Sequence, residues 1–368
     1  MKKQWIIFVV AAVVLLGSCS SPAGGGSGNL KGDGSEYNPY LIYTAAELAF
    51  VAKQVNDNIS NYRTAYYTVM NNINLASYGA GFNNGKGWIP IGYEYDVSFK
   101  GKFNGNNKRI TGLYINDNTR DNAGLFGWLG GGGCYVNNLG VAGSVTGKNH
   151  VGGIVGGMSN GSSVNYCYAA VNVTGQESVG GIVGKINYGS PVKNCCAAGN
   201  VSGILYVGGL VGAGPGIISP CYATGDVSGV DYVGGVIGTG NPSHTYAIGA
   251  VSGEDCVGGV AGEFSDNFGG FIVTDCAALN PSVTRDNSNN STFGRVAGSL
   301  GSVSATTNCY ANDEMNGHLS GFNGTNVSSS QYTIQAWWSN INFDFTDDWV
   351  MGTVKGQHLP VLKGVPYF

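Results

Sequence analysis

The hexad VGGIVG stands at Val151–Gly156 and returns at Val179–Gly184; VGGLVG follows at Val207–Gly212, VGGVIG at Val233–Gly238 and VGGVAG at Val257–Gly262. Successive copies start 28, 28, 26 and 24 residues apart, with weaker copies at Ala123–Gly127 (AGLFG) and Phe293–Gly298 (FGRVAG). A second element keeps step: CYAAVNVTG from Cys167, CCAAGNVSG from Cys195, CYATGDVSG from Cys221 and TYAIGAVSG from Thr245. Each copy holds short Val/Ile-rich runs punctuated by Gly, Asn and Ser, without helical spacing. A unit this short cannot bury its own apolar face, so copies must stack. The period predicts an all-β fold, a right-handed parallel β-helix (solenoid). Rungs about 4.8 Å apart from Tyr67 to Thr333 would make roughly ten coils and a rod about 50 Å long. The glycines are expected to supply turns at positive φ.

Alternation within the second element assigns faces. Cys167, Ala169, Val171 and Val173 fall on one side, Tyr168, Ala170 and Asn172 on the other. The next coils repeat this: Cys195, Ala197 and Val201 against Cys196, Ala198 and Asn200, then Cys221, Ala223 and Val227 against Tyr222, Thr224 and Asp226. Small apolar residues thus repeat inward.

The hexads with their companion strand resemble GLUG-motif repeats over roughly residues 123–298. Gly34–Ala52, Phe99–Ile115 and Trp349–Gly364 resemble the flanking segments of the same proteins. The resemblance implies a secreted or surface protein of bacteria, of the Bacteroidetes lipoprotein type, with an adhesin-like or unassigned role. Two features depart from the pattern: an insertion around Asn280–Thr292, expected as a protruding loop, and Thr245 in the inward cysteine column.

The ends of a solenoid need covering. Thr44-Ala45-Ala46-Glu47 is a capping-box pattern opening a short helix with Leu48, Val51 and Val55 on one face, placed over the first mouth. The aromatic-rich end, with Trp337, Trp338, Phe343, Phe345 and Trp349, is expected to cover the other. Ahead of the coil, Lys2 and Lys3 precede an apolar run from Trp5 to Leu16, then Leu16-Gly17-Ser18-Cys19. That is a secretory signal, too short for a transmembrane span, with a lipobox-like cut that makes Cys19 the lipidated first residue. A Gly/Ser-rich tether follows. The expected organisation is signal peptide 1–18, lipidated Cys19 and tether 19–35, N-terminal cap 36–66, β-helix 67–333 with its repeat core at 123–298, and C-terminal cap 334–368. The expected address is the cell envelope, an outer-membrane lipoprotein on the surface, touching membrane through its lipid only.

Composition narrows the partners. With 18 basic and 22 acidic residues, the chain has no electrostatic footprint for nucleic acid. Of nine cysteines, eight remain beyond Cys19; Cys167, Cys195, Cys221, Cys276 and Cys309 share one repeat position and read as a buried ladder of free thiols. Cys196 sits in the outward column and reads as the most accessible thiol. His150, His244, His318 and His358 are scattered, without metal or triad spacing. Asp231 and Asp255 precede consecutive hexads, about 5 Å apart, with Glu177 and Glu254 near in register. They read as turn residues, with weak calcium binding or carboxylate catalysis as alternatives. The outward tyrosines Tyr168, Tyr222 and Tyr246 form one column, Tyr206 and Tyr232 a second. Such stripes stack on themselves, grip sugar rings or hold protein. The expected function is non-catalytic, adhesin-like binding of a glycan or a host or bacterial surface protein, with no cofactor. A β-helical polysaccharide lyase or glycosidase and a structural spacer are the alternatives.

Overall fold

The computed structural model describes residues 30–187, 189–264, 272–286, 292–301, 305–315 and 322–367. The signal, Cys19 and most of the tether lie outside the described residues, as do His318 and part of the expected insertion loop.

The chain winds into a parallel β-solenoid of about eight turns. One broad sheet of eighteen short strands runs its length; a six-stranded and a seven-stranded ladder make the other two sides. The predicted phase holds rung by rung: Cys195, Cys196 and Ala197 pair with Cys221, Tyr222 and Ala223, which pair with Thr245, Tyr246 and Ala247. Inward residues Cys167, Ala169, Val171 and Val173 are buried in a single continuous core. Thr245 fills the cysteine column with its hydroxyl 3.4 Å from Cys276 Sγ. The first rung is Tyr40–Ile42, inside the segment expected to be cap, and it pairs with Tyr66–Val69. The coil count falls below ten because rungs at both ends carry the broad sheet alone: the seven-stranded ladder begins at Phe126–Gly130.

The hexad is a corner. In the second copy, Glu177–Gly180 belongs to the six-stranded ladder and Val183–Ile186 to the seven-stranded one, with Gly181 and Ile182 making the bend. The hexad glycines are there for proximity; the expected positive φ is found at other glycines, Gly112, Gly161 and Gly356 among them. A Cβ on Gly184 would sit 2.4 Å from Val151 N and 2.6 Å from Gly156 O, backbone of the preceding coil. Beside the hexads, left-handed backbone falls on the non-glycine residues just before them: His150, Ser178, Tyr206, Tyr232 and Cys256, with φ between 50° and 56°.

The N-terminal helix Ala45–Asn56 forms as expected, with the Thr44–Glu47 capping box closed in both directions. Leu48, Val51, Ala52 and Val55 join the main core, so the helix closes the first end. The aromatic C-terminal segment does not close the other. Met315 and Phe322 meet the core there, while Trp338, Phe343 and Trp349 form a second cluster on the outer face of the broad sheet. An outward tyrosine column offers an apolar stripe wide enough to bury tryptophans, and a finished coil end does not.

Gly184→Ala should lower stability by about 1–3 kcal/mol, because backbone atoms cannot step aside for the methyl. Gly132→Ala, with nothing within 4 Å of its Cβ, should change it by less than about 0.5 kcal/mol. Thermal and denaturant unfolding of the pair checks this.

Candidate functional site

The C-terminal segment lies across the tyrosine column. After helices Ser329–Tyr332 and Gln335–Asn340, a hairpin of Trp349–Val354 and Gln357–Leu362 turns at Lys355-Gly356. Both turn residues are left-handed (φ 47° and 79°), the geometry of a tight two-residue hairpin. Tyr222 and Tyr246 stack at 4.9 Å and 7° beneath Trp349, and Trp338 packs on Tyr246 at 5.3 Å. The Tyr246 hydroxyl donates to Pro360 O. Arg109 donates to Tyr367 O, and Asn194 to Asp348 Oδ1 at 3.3 Å.

This corrects the reading of Tyr222 and Tyr246 as an open ligand platform. They are 3% and 0% exposed, and their ring faces are spent on the hairpin. Cys196 shares that fate at 1% exposure, so it is not the accessible thiol. Tyr168 is half-buried against Tyr367, centroids 5.3 Å apart. Tyr206 and Tyr232 remain half-buried on the six-stranded ladder, 5.1 Å apart and tilted by 35°.

Beside the hairpin the broad sheet is left open as a groove. Its aromatic end is a 430 Å³ cavity lined by Tyr168, Tyr222, Thr224, Thr353, Lys355 and Tyr367, among others. Two residues further along the same strands, a 230 Å³ hollow is lined by Asn172, Asn200 and Asp226 and by Thr174, Ser202 and Ser228. The Lys355–Asp226 ion pair, 3.7 Å and half exposed, joins the two parts and adds little stability. The side-chain oxygens form a chain across coils: Asn200 N donates to Asn172 Oδ1 at 3.1 Å, Asp226 N to Asn200 Oδ1 at 3.0 Å, and Ala250 N to Asp226 Oδ1 at 2.9 Å. These oxygens satisfy backbone donors where each broad strand breaks at a glycine. The carboxamide N–H₂ groups have no hydrogen-bond partner among the described residues. Aromatic wall, amide donors, hydroxyls and one ion pair make a surface suited to a neutral polar ligand.

The other candidates hold less. Asp231 and Asp255 are register partners, as expected, within a ladder that runs Asn149, Glu177, Leu205, Asp231, Asp255. Asp255 accepts from Cys256 N at 2.7 Å and from Thr292 Oγ1. Among the described residues no group of three His, Cys, Asp or Glu is placed to hold a metal. An apolar cavity of 440 Å³ lies between the N-terminal helix and Tyr78, Phe82 and Trp88, but its Asn56 amide is committed to Pro90 O and Gly92 N.

Sequence reading missed the partners of His244. Its Nδ1 is 3.3 Å from Ser219 Oγ and its Nε2 3.3 Å from Asp275 Oδ2, each residue from a successive coil. Asp275 also accepts from Asn308 at 2.8 Å and from Asn342 of the C-terminal segment at 3.1 Å. Phe343 packs 6.2 Å from the imidazole. The cluster ties the segment to the solenoid. Spacings of 25 and 31 residues hide it, because only the coil period brings the three together.

No family model matches the chain. It is 38% identical over 141 residues to a "Putative Gly-rich membrane protein" of Evansella cellulosilytica, covering 38% of this chain and 14% of that one. It is 31% identical over 139 residues to halomucin of Haloquadratum walsbyi, covering 38% of this chain and 2% of that one. The chain thus spans a small part of the curated relatives it matches. A solved structure, that of a "putative immunoglobulin A1 protease" from Bacteroides ovatus, superimposes with a TM-score of 0.57 at 20% identity, over 90% of this chain and 94% of that one. At that identity the likeness is one of fold. No helix among the described residues is long and apolar enough to cross a membrane.

The buried thiols provide a chemical test of the covered sheet. All eight cysteines from Cys134 to Cys309 are free and buried. Burial pushes Cys134 from about 9 up to about 12 and Cys256 up to about 11, and raises Cys196 as well. The folded state therefore holds thiol protons that the unfolded chain releases near pH 9. Stability is full below pH 9 and is lost as pH climbs through 11 to 12. Thermal midpoints should be level from pH 7 to 8.5 and fall above 9. A disulfide-exchange reagent at pH 8 should label none of the eight rapidly and all eight in denaturant.

Proposed function

We propose that the chain is a lipid-anchored, non-catalytic repeat protein of the bacterial cell envelope, of the GLUG-motif type, that holds a glycan in the groove beside its C-terminal hairpin. The groove carries this reading: it combines the Tyr168 and Tyr367 rings with Asn172, Asn200, Thr174 and Ser202, the mixture of ring faces and hydrogen-bonding groups that a sugar presents in mirror image. A protein partner would use the same surface. The lipobox-like Leu16–Cys19, the tether and a relative described as a membrane protein support the envelope address.

Binding to immobilised glycans and matrix proteins, with products assayed in the same well, tests the function. Retention without cleavage is expected, and Asn200→Ala should weaken it about three- to tenfold, the loss of one ligand hydrogen bond. Cleavage products would overturn the non-catalytic reading; absence of any ligand would leave the spacer.

Metabolic labelling with a fatty acid tests the anchor. Label should appear on the mature chain and vanish in Cys19→Ser, which should leave the membrane fraction. Unchanged labelling of that variant would sink the lipobox assignment.

A further inference from the structure

The open half of the broad sheet has a repeat of its own. Thr146, Thr174, Ser202, Ser228, Ser252 and Thr284 are register partners on six successive rungs. The second column runs Asn172, Asn200, Asp226 and Ala250. The hollow draws both columns from four coils: Asn172 with Thr174, Asn200 with Ser202, Asp226 with Ser228, Ala250 with Ser252. Strand propensity does not choose serine at Ser202, Ser228 and Ser252, where Thr or Val would serve better, and Asn172 and Asn200 spend one oxygen each on the next coil's backbone while their N–H₂ groups face the groove. Val173, Val201, Val227 and Val251 between them are buried, so the polar residues cannot turn inward. The Thr174 and Ser202 hydroxyls hydrogen-bond to each other at 3.1 Å, which leaves one hydroxyl proton and the remaining lone pairs of the pair to a ligand oxygen that bridges two rungs.

Resting on the glycan reading above, we propose that the groove takes an unbranched, neutral polysaccharide laid along the solenoid axis, one sugar residue to a coil across four coils. The rungs lie about 4.8 Å apart, close to the advance of one linked pyranose in an extended chain. A polymer lying along the axis therefore meets a hydroxyl at each residue, beside the Asn172 and Asn200 amides on the first two coils, Asp226 on the third and Ala250 on the fourth. A chain lying across the sheet would meet a different set at each step and run into Thr353 and Lys355 of the hairpin. Charge points the same way. Asp226 is paired with Lys355, and the other lining residues of the hollow are uncharged, which favours a neutral sugar over a uronic acid.

The test is calorimetric titration of the purified full chain with cello-, xylo-, laminari- and chito-oligosaccharides of two to eight residues. For the series that fits, affinity should rise about three- to tenfold per added residue up to four, and be flat beyond. Ser252→Trp, at the end of the hollow, should shorten the plateau by one residue and spare the disaccharide. Ser228→Trp, in the middle, should abolish the length dependence. Should a tryptophan variant fail to fold by circular dichroism, Ser228→Ala and Asn200→Ala serve, each expected to weaken the tetramer more than the dimer. Saccharide binding that is equal for dimer and hexamer, or indifferent to Ser228→Trp, would overturn the axial arrangement while leaving glycan binding intact. No saccharide binding at all would overturn both readings.

Discussion

The whole molecule depends on backbone meeting backbone at the hexad corner. Each third glycine of the hexad lies so close to the preceding coil that a Cβ would stand 2.4 Å from a main-chain nitrogen at Gly184 and at Gly212. Two ladders that approach this closely leave no room for side chains at the glycine positions, so the core is filled by the apolar residues of the hexads and by the broad sheet. There the cysteine, alanine and valine columns fill it at near-zero exposure. The volume missing at the glycine corner is supplied by Val151, Val179, Val207, Val233 and Val257, the first residue of each hexad, buried without exception. Glycine content that would suggest looseness in another chain here sets the tightest packing.

That constraint explains which parts of the protein were legible in the sequence. A repeat with two phased elements can satisfy its hydrogen bonds and bury its valines in one stacking only, so register followed from alignment of the copies. The capping box at Thr44 was legible because it is local, four residues whose side chains answer one another. The destination of the aromatic C-terminal segment was not. Its tryptophans are fixed by what they pack against, and two apolar surfaces competed for them: the end of the core and the tyrosine column. The column won because Tyr222 and Tyr246, stacked within 7° of parallel, form a flat apolar strip that a hairpin can cover along its length. Among the described residues, Met315 and Phe322 are the ones that meet the core end.

The same asymmetry sets which part of the broad sheet stays open. Outward residues run from Tyr168 and Tyr222 through Ala170 and Thr224 to Asn172 and Asp226 and then to Thr174 and Ser228, with Cys196 in the tyrosine place of the coil between and Ile248 and Ala250 in the coil after. The hairpin covers the aromatic end of this gradient and stops where Lys355 meets Asp226. A sequence reader sees the tyrosines as the obvious sticky surface, yet in water the stickiest surface is the first to be covered by the protein's own chain. What remains open is the polar end, whose residues read in the sequence as ordinary solvent-facing positions.

The Ser219–His244–Asp275 contact illustrates the converse. Three chemistry-bearing residues stand in line because they occupy one corner of three coils, and a solenoid places any residue at a repeated position next to its counterparts. Asn194, His244, Asp275 and Asn308 all adopt left-handed backbone at that corner, φ from 49° to 59°. The strain there belongs to the turn that each coil must make, and it is not a mark of a site. What distinguishes His244 is that Phe343 and Asn342 reach the same cluster from the C-terminal segment. The polar seam thus holds one edge of the hairpin's base while Tyr246 and Arg109 hold the other, so the groove wall at Thr353 and Lys355 stands on a segment tied to the solenoid at both edges.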